Sequence, residues 1–402
     1  MEFSSCKLRE VLLSIHSGGT PSTSVKEYWG GPYKWLSSGE TGQRFIHDTI
    51  DTITERGIVE SSTKLAKKNS IVMACAGQGK TRGQTSYLMD DMYVNQSVIV
   101  LNPDPKKVLP LYLFYDLSRR YEELRGGSDA SSTRGSITTA SLKSLPFQYP
   151  SLDKQRTIIS SLYAYDRLIE VNNKRIKVLE QMAENLYKEW FVRFRFPGHK
   201  TATFENGIPK GWAFTRADEV IDFNPTLKTG NQASFTIIPM EALSTNSMVI
   251  DSSCFVQQDC ISGRRSQNGD TLLAKITPCL ENGKTGFVMG MPENEVLGGS
   301  TEFVVMRSKA LTPHYVYCLA RSYYFRQTAI LSMNGADGRQ RVDEDKLKST
   351  KILKPEKSVL NHFESIITTF FDGVYQMVQE NKNLIMQRNL LLPRLMSGKL
   401  EV

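Results

Sequence analysis

Two loops carry residue types that could cradle a phosphate. Ala74 to Thr81 follows an apolar stretch and ends in Gly79-Lys80-Thr81, as a P-loop does where glycine amides wrap the phosphates and lysine reaches them. That pattern requires glycine where Ala74 stands, and a second loop, Gly283-Lys284-Thr285, has Pro278 at the same place. No clear apolar strand ending in a magnesium-binding acid follows at a suitable distance. Both loops read instead as basic turns that set Lys80, Arg82 and Lys284 near phosphate or base edges. Asn102-Pro103-Asp104-Pro105 lacks the second proline and the aromatic of the Asn-Pro-Pro-aromatic motif that holds a target base in amino-methyltransferases. No glycine-rich turn with a downstream ribose-binding acid completes a methyl-donor site. The histidines, at 16, 47, 199, 314 and 362, form no nucleophilic or metal-binding arrangement, and the cysteines, at 6, 75, 254, 260, 279 and 318, form no CxxC pair, which argues against zinc.

Charge points the same way. The 402 residues carry a formal net charge of +8, which suits an acidic partner such as nucleic acid. No apolar run approaches membrane-spanning length and no signal-peptide pattern opens the chain, so a cytoplasmic protein with reduced thiols and no membrane contact is expected.

The elements that must position these loops are set by a heptad seam. Ile158, Leu162, Tyr165, Ile169, Asn172, Ile176, Leu179, Ala183, Leu186 and Trp190 recur at alternating steps of four and three, with polar residues on the other faces. One constant shift carries this seam onto Phe363, Ile367, Phe370, Val374, Met377, Asn381, Leu384, Arg388, Leu391 and Leu395, and carries Leu142 onto Leu347 and Pro150 onto Pro355. The chain is therefore read as a duplication. If the helices run antiparallel with Asn172 opposite Asn381, then Ile176 faces Met377, and two buried asparagines fix the register at some cost in stability. Two features depart from the seam: Arg388 stands where the first helix has Ala183, and Pro393 should kink or end the second helix.

The expected fold class is α+β: two tandem mixed α/β domains separated by two long antiparallel coiled-coil helices, related by a pseudo-twofold repeat. The expected boundaries are 1–150 for the first domain, 151–195 for the central helix, 196–355 for the second domain and 356–402 for the C-terminal helix. The first domain should contain strands near Ser70–Ala76 and Ser97–Leu101, a helix from Pro110, and a surface loop from Arg125 to Gly135; Asp270–Ile276, Glu302–Met306, Pro313–Tyr324 and the loop from Met333 are their counterparts. The loops that recur with different chemistry are the expected reading surface. They present Ser38, Glu40, Lys80, Thr81, Arg82, Ser132, Thr133 and Arg134 in the first domain, and Lys284, Thr285, Arg339, Gln340 and Arg341 in the second.

At Leu145-Pro146 through Gln155, Leu179-Glu180-Gln181-Met182-Ala183-Glu184 through Trp190-Phe191, Ile208-Pro209-Lys210-Gly211-Trp212 and Leu391 through Leu400, the chain resembles the specificity subunit of type I restriction-modification enzymes. The resemblance covers nearly the whole chain. It implies two target-recognition domains on a bipartite stretch of double-stranded DNA, held apart by a helical spacer and joined by two methyltransferase (modification) subunits that modify adenine and by ATP-driven restriction and translocase subunits. It implies no catalysis and no cofactor in this chain, with S-adenosylmethionine, ATP and Mg on the partner subunits.

Two readings of other classes compete with it. A P-loop-like ATP-using enzyme would bind nucleotide at the Gly-Lys-Thr loops. A coiled-coil assembly protein would show only non-specific, salt-sensitive affinity for DNA.

Overall fold

The structure, a computed structural model, describes residues 2–77, 79–129, 135–229, 234–336 and 338–401. It divides into two compact units, Met1–Leu168 with Leu384–Val402, and Ile169–Asn383. Each long helix thus contributes to both units, a division different from the sequence boundaries at 150, 195 and 355.

Within the first unit, five strands pair in the order Leu12–Ser17, Val98–Pro103, Ile71–Ala74, Thr85–Leu88, Phe45–Ile46. A second sheet has the order Asp51–Ile53, Trp29–Leu36, Met92–Val94, Lys64–Ala66. Among the described residues the second unit repeats both orders, the first without a counterpart of Phe45–Ile46. Ile221–Phe223, Phe303–Ser308, Thr271–Ala274 and Thr285–Phe287 form one sheet, and Val256–Gln258, Phe235–Ile238, Leu297–Gly299 and Arg264–Ser266 the other. A parallel pairing recurs as well: Trp29–Leu36 runs parallel to Met92–Val94, and Phe235–Ile238 to Leu297–Gly299, whereas the parallel pair of Phe45–Ile46 with Thr85–Leu88 belongs to the first unit.

Proline at the first helical position, where a missing N–H costs nothing, starts Pro110–Arg119 and Pro313–Arg321. The expected loop from Arg125 is helical as far as Asp129, because Tyr121–Asp129 continues the helical layer after a break at Arg120. A short helix then leads to an edge strand in each unit: Pro146–Tyr149 pairs with Ser4–Lys7, and Lys351–Lys354 with Ala213–Arg216.

The first long helix, Leu152–Tyr187, starts on a buried clamp. Gln155 donates from Nε2 to the carbonyls of Pro150 and Lys107, both at 2.9 Å, and its Oε1 accepts from the Leu109 amide at 2.8 Å. It then passes into a π-helical turn, Lys188–Val192. The second, Lys357–Met396, runs through Pro393, which was expected to kink or end it; the proline is exposed and removes one backbone hydrogen bond close to the helix end.

Ile158 and Leu162 join Leu392, Leu395 and Met396 in the core of the first unit. Ile176, Ala183 and Trp190 join Phe363, Ile367 and Val374 in that of the second. Ile169, Leu179, Leu186, Phe370, Met377, Leu384 and Leu391 are half-buried. The asparagine pair sits inside the second unit: Asn172 donates to Asn381 Oδ1 at 3.1 Å, and Asn381 donates to Asn173 Oδ1 at 2.9 Å.

The strict heptad fails at matched places. Asp166 and Tyr187, rather than Tyr165 and Leu186, are buried, and so are their counterparts Phe371 and Leu392. Steps of four, four and three follow an eleven-residue period, so the stripe stays close to the natural 3.6-residue turn. Asp166 explains the arginine in the seam. Its carboxylate accepts from Arg388 Nη1, from Tyr115 Oη at 2.8 Å and from Arg44 Nε at 3.1 Å, and Arg44 also lies over the Phe114 ring at 4.8 Å. Asp166 and Arg388 are 4% and 6% exposed.

Candidate nucleic-acid interface

Both Gly-Lys-Thr segments lie at the tips of antiparallel hairpins. Ile71–Ala74 turns back into Thr85–Leu88, and Thr271–Ala274 into Thr285–Phe287. A P-loop instead feeds a helix whose first amides bind phosphate. In the first hairpin Gly79 has φ +74° and Lys80 is exposed, while the Lys80 carbonyl accepts from Tyr121 Oη at 2.7 Å. This anchors the tip and leaves the ammonium in solvent.

The residues expected to touch DNA separate into two groups. Glu40 is buried and closes its own loop: Oε1 accepts from the Ser37 amide and hydroxyl at 3.1 and 3.0 Å, and Oε2 from the Ile50 amide at 2.9 Å. Arg82 is buried and donates to the Gly135 carbonyl at 2.8 Å, tying the hairpin to the chain that follows the helical layer. Thr285 is buried, with its hydroxyl on the Gly283 carbonyl at 3.3 Å. All three side chains, expected at the reading surface, are enclosed in protein and shape the loops. Lys284 is half-buried with Nζ on the Met240 carbonyl at 3.1 Å.

Lys80 and Arg339 are exposed, and Ser38, Thr81 and Gln340 half-buried. Arg341 forms a fork with Glu302, Nε to Oε2 at 2.9 Å and Nη2 to Oε1 at 2.7 Å, which holds the Glu302 carboxyl below its ordinary pKa. Ser132, Thr133 and Arg134 lie outside the described residues.

Sequence reasoning missed a half-buried charged cluster beside the second hairpin. Glu344 Oε1 accepts from Arg264 Nη2 at 2.7 Å and Lys275 Nζ at 2.8 Å, while Oε2 accepts from Asn224 Nδ2 at 2.8 Å. Asn224 sits at φ +51°, and its Oδ1 accepts from the Val305 amide at 2.9 Å, so the carboxylate is held from a rigid corner. Arg265 donates to the Leu227 carbonyl at 2.5 Å. The adjacent Arg264-Arg265 after Gly263 was the visible signal. Nothing in linear spacing ties it to Glu344.

An exposed tip lysine and an exposed loop arginine should behave differently on DNA. Lys80→Ala is expected to weaken all duplexes alike and reduce the salt slope by about one, whereas Arg339→Ala is expected to cost about 1–3 kcal/mol at one half-site, read by titrations at several salt concentrations.

Comparison with known proteins follows the same line. Residues 2–181 match the family model described as the type I restriction modification DNA specificity domain. The chain is 24% identical over 411 residues to the MjaIX specificity subunit of Methanocaldococcus jannaschii, covering 96% of this chain and 91% of that protein. It is 28% identical over 202 residues to the EcoR124I/EcoR124II specificity subunit of Escherichia coli, 47% of each. Its fold is similar to the crystal structure of the S subunit of a type I restriction-modification system from M. genitalium, with TM-score 0.59 and 12% identity over 98% of this chain and 96% of that one. No helix among the described residues is long and apolar enough to cross a membrane. Duplicated sheets and paired long helices thus go with two likenesses: residues 2–181 match the type I restriction modification DNA specificity domain, and along nearly its whole length the chain is similar to a type I specificity subunit.

Proposed function

We propose that this chain reads a bipartite DNA target, one half-site for each unit, and carries two modification subunits and the restriction and translocase subunits to it. The observation that carries this reading is the repeat itself. Two sheets of the same strand order recur in each unit, while the loops at equivalent places differ in chemistry. Separate loops on a common scaffold suit the reading of two different sequences. The long helices set the gap between the half-sites, and partner binding leaves the recognition loops free for DNA.

The chain contributes recognition and no bond-making step; S-adenosylmethionine, ATP and magnesium act on the partners, in the cytoplasm where the DNA lies. Methylation mapping in cells with and without the gene tests this. A two-part adenine-methylated motif that disappears with the gene is the expected result, and identical methylation maps would refute it. Purified alone, the chain is expected to turn over no ATP, and turnover abolished by Lys80→Ala would restore the enzyme reading.

A further inference from the structure

The two units can be compared position by position through their backbones. The Cys75 amide donates to the Ser97 carbonyl at 2.9 Å, as that of Lys275 donates to Glu302 at 2.9 Å. The Ile137 amide meets the Cys75 carbonyl at 2.9 Å, as that of Val342 meets Lys275 at 2.9 Å. Lys64 opens an edge strand opposite Val94, and Arg264 opens its counterpart opposite Gly299. His16 pairs with Val100, and the Asn224 amide reaches the Val305 carbonyl at 2.7 Å. One frame therefore carries His16, Lys64, Cys75 and Ser97 in the first unit, and Asn224, Arg264, Lys275 and Glu302 in the second. The scaffold is kept and the charge is rewritten.

We propose that Arg264 reads a base edge in the half-site taken by the second unit, a guanine by its chemistry, and that Glu344 is its positioning residue. This rests on the DNA-reading function proposed above. Arginine offers five N–H donors in a planar fork, and guanine O6 and N7 accept two of them side by side in the major groove. Among the described residues, the Arg264 guanidinium donates to Glu344 through Nη2, and 31% of the side chain remains exposed. Glu344 is fixed in turn. It begins the helix Glu344–Ser349, whose cap Asp343 accepts from the Asp345 and Lys346 amides, and it also receives Lys275 and Asn224. A fork aimed by a rigid acid loses little freedom on meeting a base. Lys275 beside it, 13% exposed, adds positive potential without reaching as far.

The test is the methylated motif in cells whose gene carries Arg264→Ala, Glu344→Gln or, in the other unit, Lys64→Ala. Arg264→Ala is expected to make one position of one half-site degenerate, with discrimination there falling on the order of tenfold to a hundredfold, and to leave the other half-site unchanged. Glu344→Gln keeps the shape and removes the charge, so it should blur the same position more mildly. Lys64→Ala should leave that position intact. An unchanged motif in both Arg264→Ala and Glu344→Gln overturns the assignment while the wild-type motif upholds the DNA-reading function. Complete loss of methylation in both, with protein levels normal, also overturns it, because a purely structural cluster behaves that way. Failure of the underlying function shows separately, as a wild-type map identical to that of cells without the gene.

Discussion

Asp166→Ala is expected to destabilise the first unit by about 3–5 kcal/mol, since removing one partner of a buried ion pair strands the other in a poorly solvated site. Here the stranded groups are two guanidiniums. Arg388 is 6% exposed, and burial first, then Arg44 beside it, already pushes its pKa below the ordinary arginine value. Without the carboxylate their repulsion is uncompensated, and Tyr115 loses its acceptor. Urea unfolding followed by intrinsic fluorescence reads the loss as a lowered midpoint for the transition of this unit. The paired change Asp166→Leu with Arg388→Leu should be far milder, because replacing a whole buried pair by apolar side chains is often neutral or stabilising. A single-variant cost near 0.5 kcal/mol would show that the carboxylate is not the hub of this network.

Insertion of four residues into both long helices, after Leu168 and after Asn383, is expected to abolish recognition of the original target and create one with the same half-sites and a gap longer by one or two base pairs. Four residues add about 6 Å of helix, and a base pair rises roughly 3.4 Å. The position matters. Placed after Glu180 the insertion would fail: that carboxylate accepts from the Met248 amide at 2.7 Å, and Ile176 and Ala183 lie in the core of the second unit. An insertion there would break that unit, whereas the ranges of both units meet at 168/169 and 383/384. The old gap combined with a new half-site sequence would refute the spacer role.

Much of this architecture was legible because periodicity is a local property. The seam, the duplication and the Asn172–Asn381 pairing follow from residue type and spacing. Asp166 was not legible. It sits one place past the expected seam residue Tyr165, and its partners stand 122, 51 and 222 positions away. For the same reason Arg388 looked like a defect. In the loops, residue type indicated polarity without direction: Glu40 and Arg82 face inward to shape their turns, while Lys80 and Arg339 face solvent. The Arg264–Glu344 cluster depends on strand order, which spacing does not reveal.

The first unit is built from both ends of the chain, with Arg44 and Asp166 in one segment and Arg388 in the other. In the gene, this makes a lock with its halves far apart. A crossover between related genes anywhere from codon 167 to codon 387 joins the Asp166 of one parent to position 388 of the other. Recombinants that trade the second domain should therefore be viable when both parents carry the aspartate–arginine pair, or when both lack it. Where the charged residue at one of these places comes from one parent and an apolar residue at the other place from the second parent, the hybrid inherits an unpaired buried charge, and the repertoire of targets open to such exchange is limited by compatibility inside a helix pair.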